Sequence, residues 1–149
     1  MRVLLVCSPG GHLQQMLALE PAWRGYERAW VTLPGADVSS LLADEQVTIA
    51  HSPTNRNVKN LTRNAGLAWR LLRRRRPDAI ISTGAGLAVP FFLVGKLLRI
   101  RLVYVESVTR TESLSLSGRM VYPLANRFFV QWPAVAKRFK RAEYHGAVL

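Results

Sequence analysis

Short apolar runs alternate along the chain with longer segments in which apolar residues recur at helical spacing. The apolar runs are nearly continuous and contain many β-branched residues, which is typical of strands buried on both faces of a sheet. The predicted strands are 2–8, 28–33, 47–51, 79–82, 102–106 and 128–131, and the predicted helices are 12–20, 38–44, 57–76, 87–98 and 116–124, with a helical turn at 134–139. This alternation predicts an α/β fold with a mainly parallel sheet covered by helices on both faces.

The chain has 149 residues, which is the usual length of one domain. Hydrophobic residues make up 49% of it and charged residues 20%, as in packed globular proteins rather than disordered ones. We therefore expect a single Rossmann-like domain over residues 1–149. Its one cysteine, Cys7, lies in an apolar strand, so we predict a buried thiol rather than a nucleophile.

The balance of charge indicates a polyanionic partner. Lysine and arginine number 21 against 9 acidic residues, which gives a net charge of +12. Anionic lipid headgroups, nucleic acid and pyrophosphate-bearing substrates would all be attracted to such a surface. Composition alone does not rank these three partners.

The apolar segments predict at most a peripheral contact with a membrane. The run 3–7 is too short for the hydrophobic part of a signal peptide. The longest apolar stretch, 85–98, contains Pro90 and Lys96 and is shorter than the roughly 20 residues of a spanning helix. We therefore expect no transmembrane helix.

Two glycine-containing turns, 8–12 and 82–86, each follow a predicted strand and open a predicted helix. Such turns present backbone N–H groups to an anion at the carboxyl edge of a parallel sheet. Neither turn has the full dinucleotide fingerprint, so we predict a phosphate or sugar site and no nucleotide cofactor. His12 is a candidate base for a hydroxyl proton, and a helix-capping role fits it equally well. The other candidate binding residues of these turns are Gly10, Gly11, Thr83, Gly84 and Gly86.

Glu106 ends a predicted apolar strand and is one of few acids in the second half of the chain. A carboxylate at the carboxyl edge of the sheet could act as a base or bind a sugar hydroxyl. A helix N-cap or an ion pair with Arg110 explains the same residue without catalysis. The sequence leaves these roles open.

The predicted helix 57–76 has an apolar side and a basic side when its residues are placed at 100° intervals. Leu61, Ala65, Ala68 and Leu72 lie on one side, where they can pack on the sheet. The opposite side would face either solvent or anionic lipid. It carries Lys59, Arg63, Arg70 and Arg74.

Five motifs follow one another along the chain. They are Gly10-Gly11-His12, Ser82-Thr83-Gly84-Ala85-Gly86, Tyr104-Val105-Glu106-Ser107, Ser113-Leu114-Ser115-Leu116-Ser117-Gly118-Arg119 and Phe128-Phe129-Val130-Gln131-Trp132-Pro133. Taken together and in this order, they resemble the Alg14 family, which includes bacterial capsule and exopolysaccharide proteins of the PssD, EpsE and Cps14F kind. The likeness extends over essentially the whole chain and is more specific than any single motif.

The resemblance implies the N-terminal half of a GT-B glycosyltransferase related to MurG. In such an enzyme this chain would bind a polyprenyl-pyrophosphate-linked acceptor, and an Alg13-like catalytic subunit would bind the UDP-sugar. We expect the chain to be inactive alone, to use no metal or cofactor, and to dock its partner through the tail from about residue 133. Eukaryotic members carry an N-terminal transmembrane anchor that we do not expect here, so the predicted location is peripheral, on the cytoplasmic face of the membrane.

The patterns of the residues and the resemblance together give the expected roles of individual residues. His12 and Glu106 are the candidate catalytic residues. Lys59, Arg63, Arg70 and Arg74 are the candidate membrane-binding residues. The candidate acceptor- or phosphate-binding residues are Gly10, Gly11, Thr83, Gly84, Gly86, Ser107, Arg110, Ser115 and Gly118.

Two other functions compete with this hypothesis. One is a non-catalytic membrane adaptor that only recruits and stabilises the catalytic subunit. The other is a basic nucleic-acid-binding module, which the net charge favours. The sequence has no recognisable nucleic-acid motif, so we expect no nucleic-acid partner.

Overall fold

The computed structural model describes residues 1–148, which form one seven-stranded, fully parallel sheet in the order β3-β2-β1-β4-β5-β6-β7. The strands are β1 (Arg2–Cys7), β2 (Glu27–Thr32), β3 (Val47–Ile49), β4 (Ala79–Gly84), β5 (Arg101–Val105), β6 (Arg127–Val130) and β7 (Ala142–Tyr144). The helices are α1 (Gly11–Ala18), α2 (Glu20–Trp23), α3 (Ala36–Leu41), α4 (Val58–Arg75), α5 (Ala88–Leu97), α6 (Leu116–Val121) and α7 (Pro133–Arg138).

Helices cover both faces of the sheet, as predicted. Successive residues of β1 point to opposite faces, so Leu4 and Val6 belong to one hydrophobic core while Val3 and Leu5 belong to the other. Residues of α4, α5, α6 and α7 complete the first core, and residues of α1, α2 and α3 complete the second. Burial on both faces explains why the central strands are continuously apolar.

The order of the strands reverses between β1 and β4. From β1 the chain builds outward through β2 to β3, and α4 then carries it back across the sheet to β4. From β4 it builds outward in the other direction to β7. In open parallel sheets, ligands bind outside the carboxyl ends of the strands at such a reversal. The turns after β1 and β4 both lie at this point.

The predicted elements are confirmed with shifts of a few residues, apart from two differences. The predicted helix 12–20 ends at Ala18, and a separate short helix α2 follows. Pro21 explains the break, because a proline ring is tolerated in the first turn of a helix but clashes in its interior. The prediction of no strand after Trp132 was wrong: β7 pairs with β6. Its three residues are too few to show an alternating pattern.

No helix in residues 1–148 is both long enough and apolar enough to cross a bilayer. The most apolar helix, α5, has 10 residues and lies largely within the core.

Candidate functional site

A cavity of about 550 Å³ opens at the carboxyl edge of the sheet, beside the strand-order reversal. The first turns of α1, α4, α5 and α6 each contribute a lining residue, so the positive ends of four helix dipoles lie near it. One wall is apolar and consists of Val58, Leu61, Ala85, Val89, Leu116 and Met120. The rest of the lining is His12, Thr54, Asn55, Arg56, Asn57, Gly86, Ser107, Thr109, Arg110, Ser115 and Ser117.

The charged groups of the cavity have one sign. Arg56 and Arg110 line it, and no aspartate or glutamate among the described residues 1–148 does so. The exposed guanidinium groups of these two arginines form no ion pair within that part of the chain. An acid-free cavity with a long apolar wall is suited to an anionic molecule that carries an apolar chain.

His12 is held in one orientation by Thr83, near the end of β4. Its Nδ1 lies 2.8 Å from the carbonyl oxygen of Thr83, and the Thr83 hydroxyl donates to the carbonyl oxygen of His12 at 2.7 Å. Because a carbonyl oxygen can only accept, Nδ1 carries the proton of this bond. In the neutral ring Nε2 therefore has the free lone pair that a base requires.

The first glycine turn is hydrogen-bonded to a carboxylate that was not predicted from the sequence. The N–H of Gly10 donates to Oδ2 of Asp37, in the first turn of α3, at 2.8 Å. Gly10 has a φ of 81°, a backbone conformation that glycine adopts without strain. Neither Gly10 nor Gly11 lines the cavity, so His12 is the only one of the three that does. The N–H group of Gly10 is already bonded to Asp37.

The second glycine turn lies directly against the site. Gly86 lines the cavity, and a Cβ at this position would come within 3.1 Å of the carbonyl oxygen of Thr54. Gly84 has a φ of 107°, and a Cβ there would come within 3.0 Å of the His12 ring. Thr83 is buried and acts through its bonds to His12.

Glu106 lies beneath the cavity and does not line it. Its carboxylate accepts hydrogen bonds from the N–H of Ser107 at 3.0 Å, from the N–H of Ser115 at 2.9 Å and from the Ser115 hydroxyl at 3.0 Å. Ser115 in turn caps α6 by accepting from the N–H of Gly118. A Cβ at Gly118 would overlap the Glu106 carboxylate. Glu106, Ser115 and Gly118 thus form one capping arrangement, which is closest to the N-cap role considered above.

The main chain of Glu106 also joins several elements. Its carbonyl oxygen accepts from Nε2 of Gln15, on α1, at 3.2 Å and from Nε2 of Gln131 at 3.0 Å. Oε1 of Gln131 accepts from the N–H of Val148 at 2.6 Å. The two glutamines are buried. This polar network connects the helix that carries His12 to the segment that follows β7.

Two pKa shifts describe the interior beside the site. Burial, followed by the nearby Glu106 carboxylate, raises the pKa of Tyr104. Burial, with a smaller contribution from Asp37, raises the pKa of the Cys7 thiol to about 12. Cys7 is therefore an unreactive thiol at neutral pH, which agrees with its prediction as a core residue.

The largest part of the lining that sequence reasoning missed is the loop before α4 and the start of that helix, from Thr54 to Leu61. The available signal was a polar run between a strand and a helix. The buried side of α4 also contains Asn60 and Asn64 among its apolar residues. These two asparagines interrupt the apolar side that the sequence predicted.

The basic side of α4 faces outward as predicted. Lys59, Arg63, Arg70 and Arg74 are exposed, while Ala68 and Leu72 are buried and Leu61 and Ala65 pack partly on the core. Exposed apolar side chains lie on the same helical layer, on α4, α5 and α6, and we call them the apolar surface residues. They are Val58, Trp69, Leu93, Leu97, Leu116 and Met120.

The fold is that of one Rossmann-like half of a GT-B enzyme. MurG from Acinetobacter baumannii superposes with a TM-score of 0.75 at 18% identity, over 90% of this chain and 42% of that one. Residues 46–148 match the family model described as oligosaccharide biosynthesis protein Alg14 like. The chain belongs to the Alg14 family.

Relatives in the family are similar over part or all of the chain. The UDP-N-acetylglucosamine transferase subunit ALG14 of Eremothecium gossypii is 41% identical over 104 residues, which cover 62% of this chain and 46% of that protein. The subunit of the same name from Yarrowia lipolytica is 29% identical over 178 aligned residues, covering 99% of this chain and 81% of that protein. The chain therefore spans about half of the first relative and most of the second.

Proposed function

We propose that this chain is the acceptor-binding, membrane-associated subunit of a two-chain glycosyltransferase. Its acceptor would be a polyprenyl-pyrophosphate-linked saccharide, and its donor a UDP-sugar bound by an Alg13-like partner. The relatives are named for UDP-N-acetylglucosamine, which makes N-acetylglucosamine the first sugar to test. The observation that carries the proposal is the acid-free cavity with an apolar wall at the carboxyl edge of the sheet.

The cavity supports an acceptor better than a nucleotide. Arg110 and the helix N-termini would bind the pyrophosphate, and the wall formed by Val58, Leu116 and Met120 would contact the first isoprene units. Val58 and Leu116 are also among the most exposed apolar residues of the chain. The lipid could therefore pass from the bilayer into the cavity along this rim.

His12 is the base in this proposal. Its Nε2 would accept the proton of the acceptor hydroxyl while that oxygen forms a bond to C1 of the donor sugar and the bond from C1 to the UDP oxygen breaks. The hydrogen bond from Nδ1 to Thr83 supports this role because it fixes the tautomer and the direction of Nε2. The proton would then pass to solvent.

Glu106 has a positioning role in the same proposal. Its carboxylate already accepts three hydrogen bonds and lies beneath the lining residues Ser107 and Ser115. It could serve as a base only after the cap of α6 had opened. We therefore assign it to holding the loop after β5 and the start of α6, with Ser107, Arg110 and Ser115 presented to the acceptor.

Membrane association would use the helical layer formed by α4, α5 and α6. The basic side of α4 would contact anionic headgroups, and the apolar surface residues would enter the interface. This arrangement is peripheral, on the cytoplasmic face in our proposal. It brings the rim of the cavity close to the lipid-linked acceptor.

The partner would complete the site from the carboxyl edge, because one half of a GT-B enzyme supplies one wall of an interdomain cleft. The segment from Pro133 onward, with α7 and the edge strand β7, is the proposed docking region. Val148 is hydrogen-bonded to Gln131, which in turn is hydrogen-bonded to the main chain of Glu106. A partner that docks on this segment would therefore contact the same hydrogen-bond network.

Reconstitution tests the proposed function. The chain and a candidate UDP-sugar-binding partner from the same host are purified separately, and transfer of labelled N-acetylglucosamine from UDP-N-acetylglucosamine to a polyprenyl-pyrophosphate-linked saccharide is measured. We expect no transfer by either chain alone and transfer by the mixture. Robust turnover by this chain alone would overturn the two-chain proposal.

A non-catalytic adaptor is the second candidate, and the buried position of Glu106 favours it. With that carboxylate engaged, His12 is the one remaining candidate base that lines the cavity in the described part of the chain. If His12 can be replaced without loss of turnover, the adaptor becomes the better account.

A further inference from the structure

We propose that the loop before α4 is a second anion-binding wall of the cavity and that Arg56 is its charged contact. The inference rests on the proposed function, because it names the part of the acceptor that this loop would bind. That part is the pyrophosphate next to the apolar chain. Neither the loop nor Arg56 belongs to the motifs that carry the family resemblance.

The loop is held in place by asparagines of α4. Oδ1 of Asn64 accepts from the N–H of His51 at 2.8 Å, and its Nδ2 donates to the carbonyl oxygen of His51 at 3.0 Å. Nδ2 of Asn60 donates to the carbonyl oxygen of Pro53 at 2.8 Å. Both asparagines are at least 95% buried. Burying two amides is costly unless they are hydrogen-bonded, so these side chains are committed to fixing the backbone of the loop.

The residues that this scaffold presents face the cavity. Thr54, Asn55 and Arg56 all line it, and Asn57 caps α4 by accepting from the N–H of Asn60. Arg56 has a φ of 49°, in the left-handed region that disfavours residues other than glycine, asparagine and aspartate. Nothing in the described residues neutralises its exposed guanidinium group by an ion pair.

Arg56 and Arg110 approach the cavity from opposite halves of the sheet. Arg56 follows β3, at one edge of the strand order, and Arg110 follows β5, on the other side of β1 and β4. Two guanidinium groups from opposite sides can bind two phosphoryl groups, because their planar forks match phosphate oxygens. The apolar wall between α4, α5 and α6 then favours a pyrophosphate that carries a hydrocarbon chain.

A nucleotide sugar has the same pyrophosphate, so the experiment must distinguish the two sources. The full chain is titrated in solution with farnesyl pyrophosphate, with inorganic pyrophosphate and with UDP-N-acetylglucosamine, and each Kd is measured by calorimetry. We expect farnesyl pyrophosphate to bind most tightly, since it alone can use both the arginines and the apolar wall.

Arg56→Gln tests the arginine, and Arg99→Gln is its matched control. Arg99 is also exposed and left-handed, with a φ of 59°, but it lies at the amino edge of the sheet, away from the cavity. We expect Arg56→Gln to raise the Kd for both farnesyl and inorganic pyrophosphate about tenfold, or about 1.4 kcal/mol. Arg99→Gln should leave both values unchanged. Arg56→Lys should lie between, because lysine keeps the charge but lacks the fork.

Melting temperatures separate a loss of binding from a loss of folding. All three variants should melt within a degree or so of the wild type, since the side chains are exposed and glutamine accepts the left-handed conformation about as well as arginine. Two results with the variants would overturn the inference: Arg56→Gln binds pyrophosphate as tightly as the wild type, or Arg99→Gln weakens binding as much as Arg56→Gln does. Two results with the wild type would also overturn it: UDP-N-acetylglucosamine binds more tightly than farnesyl pyrophosphate, or the chain binds no pyrophosphate. The reconstituted transfer assay judges the proposed function separately from each of these results.

Discussion

Each edge of the sheet has arginines beside a hollow of about 550 Å³, yet the surroundings of those arginines differ. At the carboxyl edge, Arg56 and Arg110 line a cavity of about 550 Å³ into which helices direct their N-termini. At the amino edge, Arg73, Arg76 and Arg99 line a hollow of about 550 Å³ where α4 and α5 end.

The amino-edge arginines lie at helix ends. Arg76 and Arg99 have φ values of 47° and 59° and lie just after the last residues of α4 and α5. Positive side chains at helix C-termini interact favourably with the dipole and with free carbonyl groups. The carboxylate of Asp78 is also present there and accepts from the N–H of Arg2 at 2.8 Å.

The difference shows that arginine content alone does not identify an anion site. Opposite helix dipoles and a nearby carboxylate make the amino edge a poor site for phosphate. At the carboxyl edge the dipoles are favourable, acids are absent from the lining in residues 1–148, and an apolar wall continues the site. In the proposed function, only part of the net charge of +12 therefore serves anion binding.

The largest expected effect of a single substitution is at the carboxyl edge. His12→Ala in the reconstituted two-chain enzyme should lower kcat by about 10²- to 10⁴-fold, the usual contribution of a general base. Partner binding and the melting temperature should change little, because the His12 ring is only half-buried. Turnover close to that of the wild type in an intact complex would favour the adaptor instead.

The basic side of α4 should control binding to anionic membranes. Each basic side chain near such a surface contributes about 1 kcal/mol, so changing Lys59, Arg63, Arg70 and Arg74 together to glutamine should weaken binding by roughly 10²-fold or more. Sedimentation with vesicles containing phosphatidylserine measures the effect, which salt should reduce. Arg24→Gln, on the opposite helical layer, is the control. Equal binding of the wild type to neutral and anionic vesicles would contradict the electrostatic part of the proposal.

Glu106→Ala should act first on stability. Removing this buried carboxylate leaves two N–H groups and one hydroxyl without their partner, which should lower the free energy of unfolding by about 3 kcal/mol. Glu106→Gln, which keeps the shape and one acceptor oxygen, should lose less. Denaturant unfolding gives both values. A Glu106→Ala variant that is as stable as the wild type but inactive would mean that Glu106 is a base after all.

Three arginines have a left-handed backbone conformation, and replacing each with glycine should change stability slightly. The effect on pyrophosphate binding should differ between the two edges of the sheet. Glycine adopts this conformation without the steric cost of about 1–2 kcal/mol that arginine has. That cost exceeds the weak interaction of an exposed arginine with a helix end, so Arg76→Gly, Arg99→Gly and Arg56→Gly should each raise the free energy of unfolding by about 0.5–1 kcal/mol. Only Arg56→Gly should also weaken the binding of pyrophosphate. Loss of pyrophosphate binding in Arg76→Gly or Arg99→Gly would mean that the amino edge also binds the anion.

Most of the fold was predictable from the sequence, because the pattern of each central strand reports burial on both faces. The exceptions have local causes: α2 follows from Pro21, and β7 is a three-residue edge strand without a pattern of its own. The direction of the basic side of α4 was also predictable, since it depends on helical spacing alone.

The site was predictable only in part. Motifs at the ends of neighbouring strands identified the turn that carries His12 and the segment from Ser107 to Gly118, because such ends meet at one edge of a parallel sheet. The sequence could not show that Asp37 closes the first turn or that the Glu106 carboxylate turns inward toward Ser115. Those contacts depend on side-chain direction between segments distant in the chain. The loop with Arg56 was missed for the same reason, since Asn60 and Asn64 give no apolar signal.

Photo-crosslinking can identify which part of the chain contacts the apolar tail of a lipid pyrophosphate. The full chain, bound to vesicles, is irradiated with a farnesyl pyrophosphate analogue that carries a benzophenone on its apolar chain, and the modified peptides are identified by mass spectrometry. We expect label on the carboxyl-edge wall, within residues 54–61, 85–89 and 115–120, and its loss in the presence of excess unlabelled farnesyl pyrophosphate. Label that is found only in the amino-edge hollow, within residues 72–78 and 98–100, and that excess farnesyl pyrophosphate removes would show that the lipid pyrophosphate binds at the other edge.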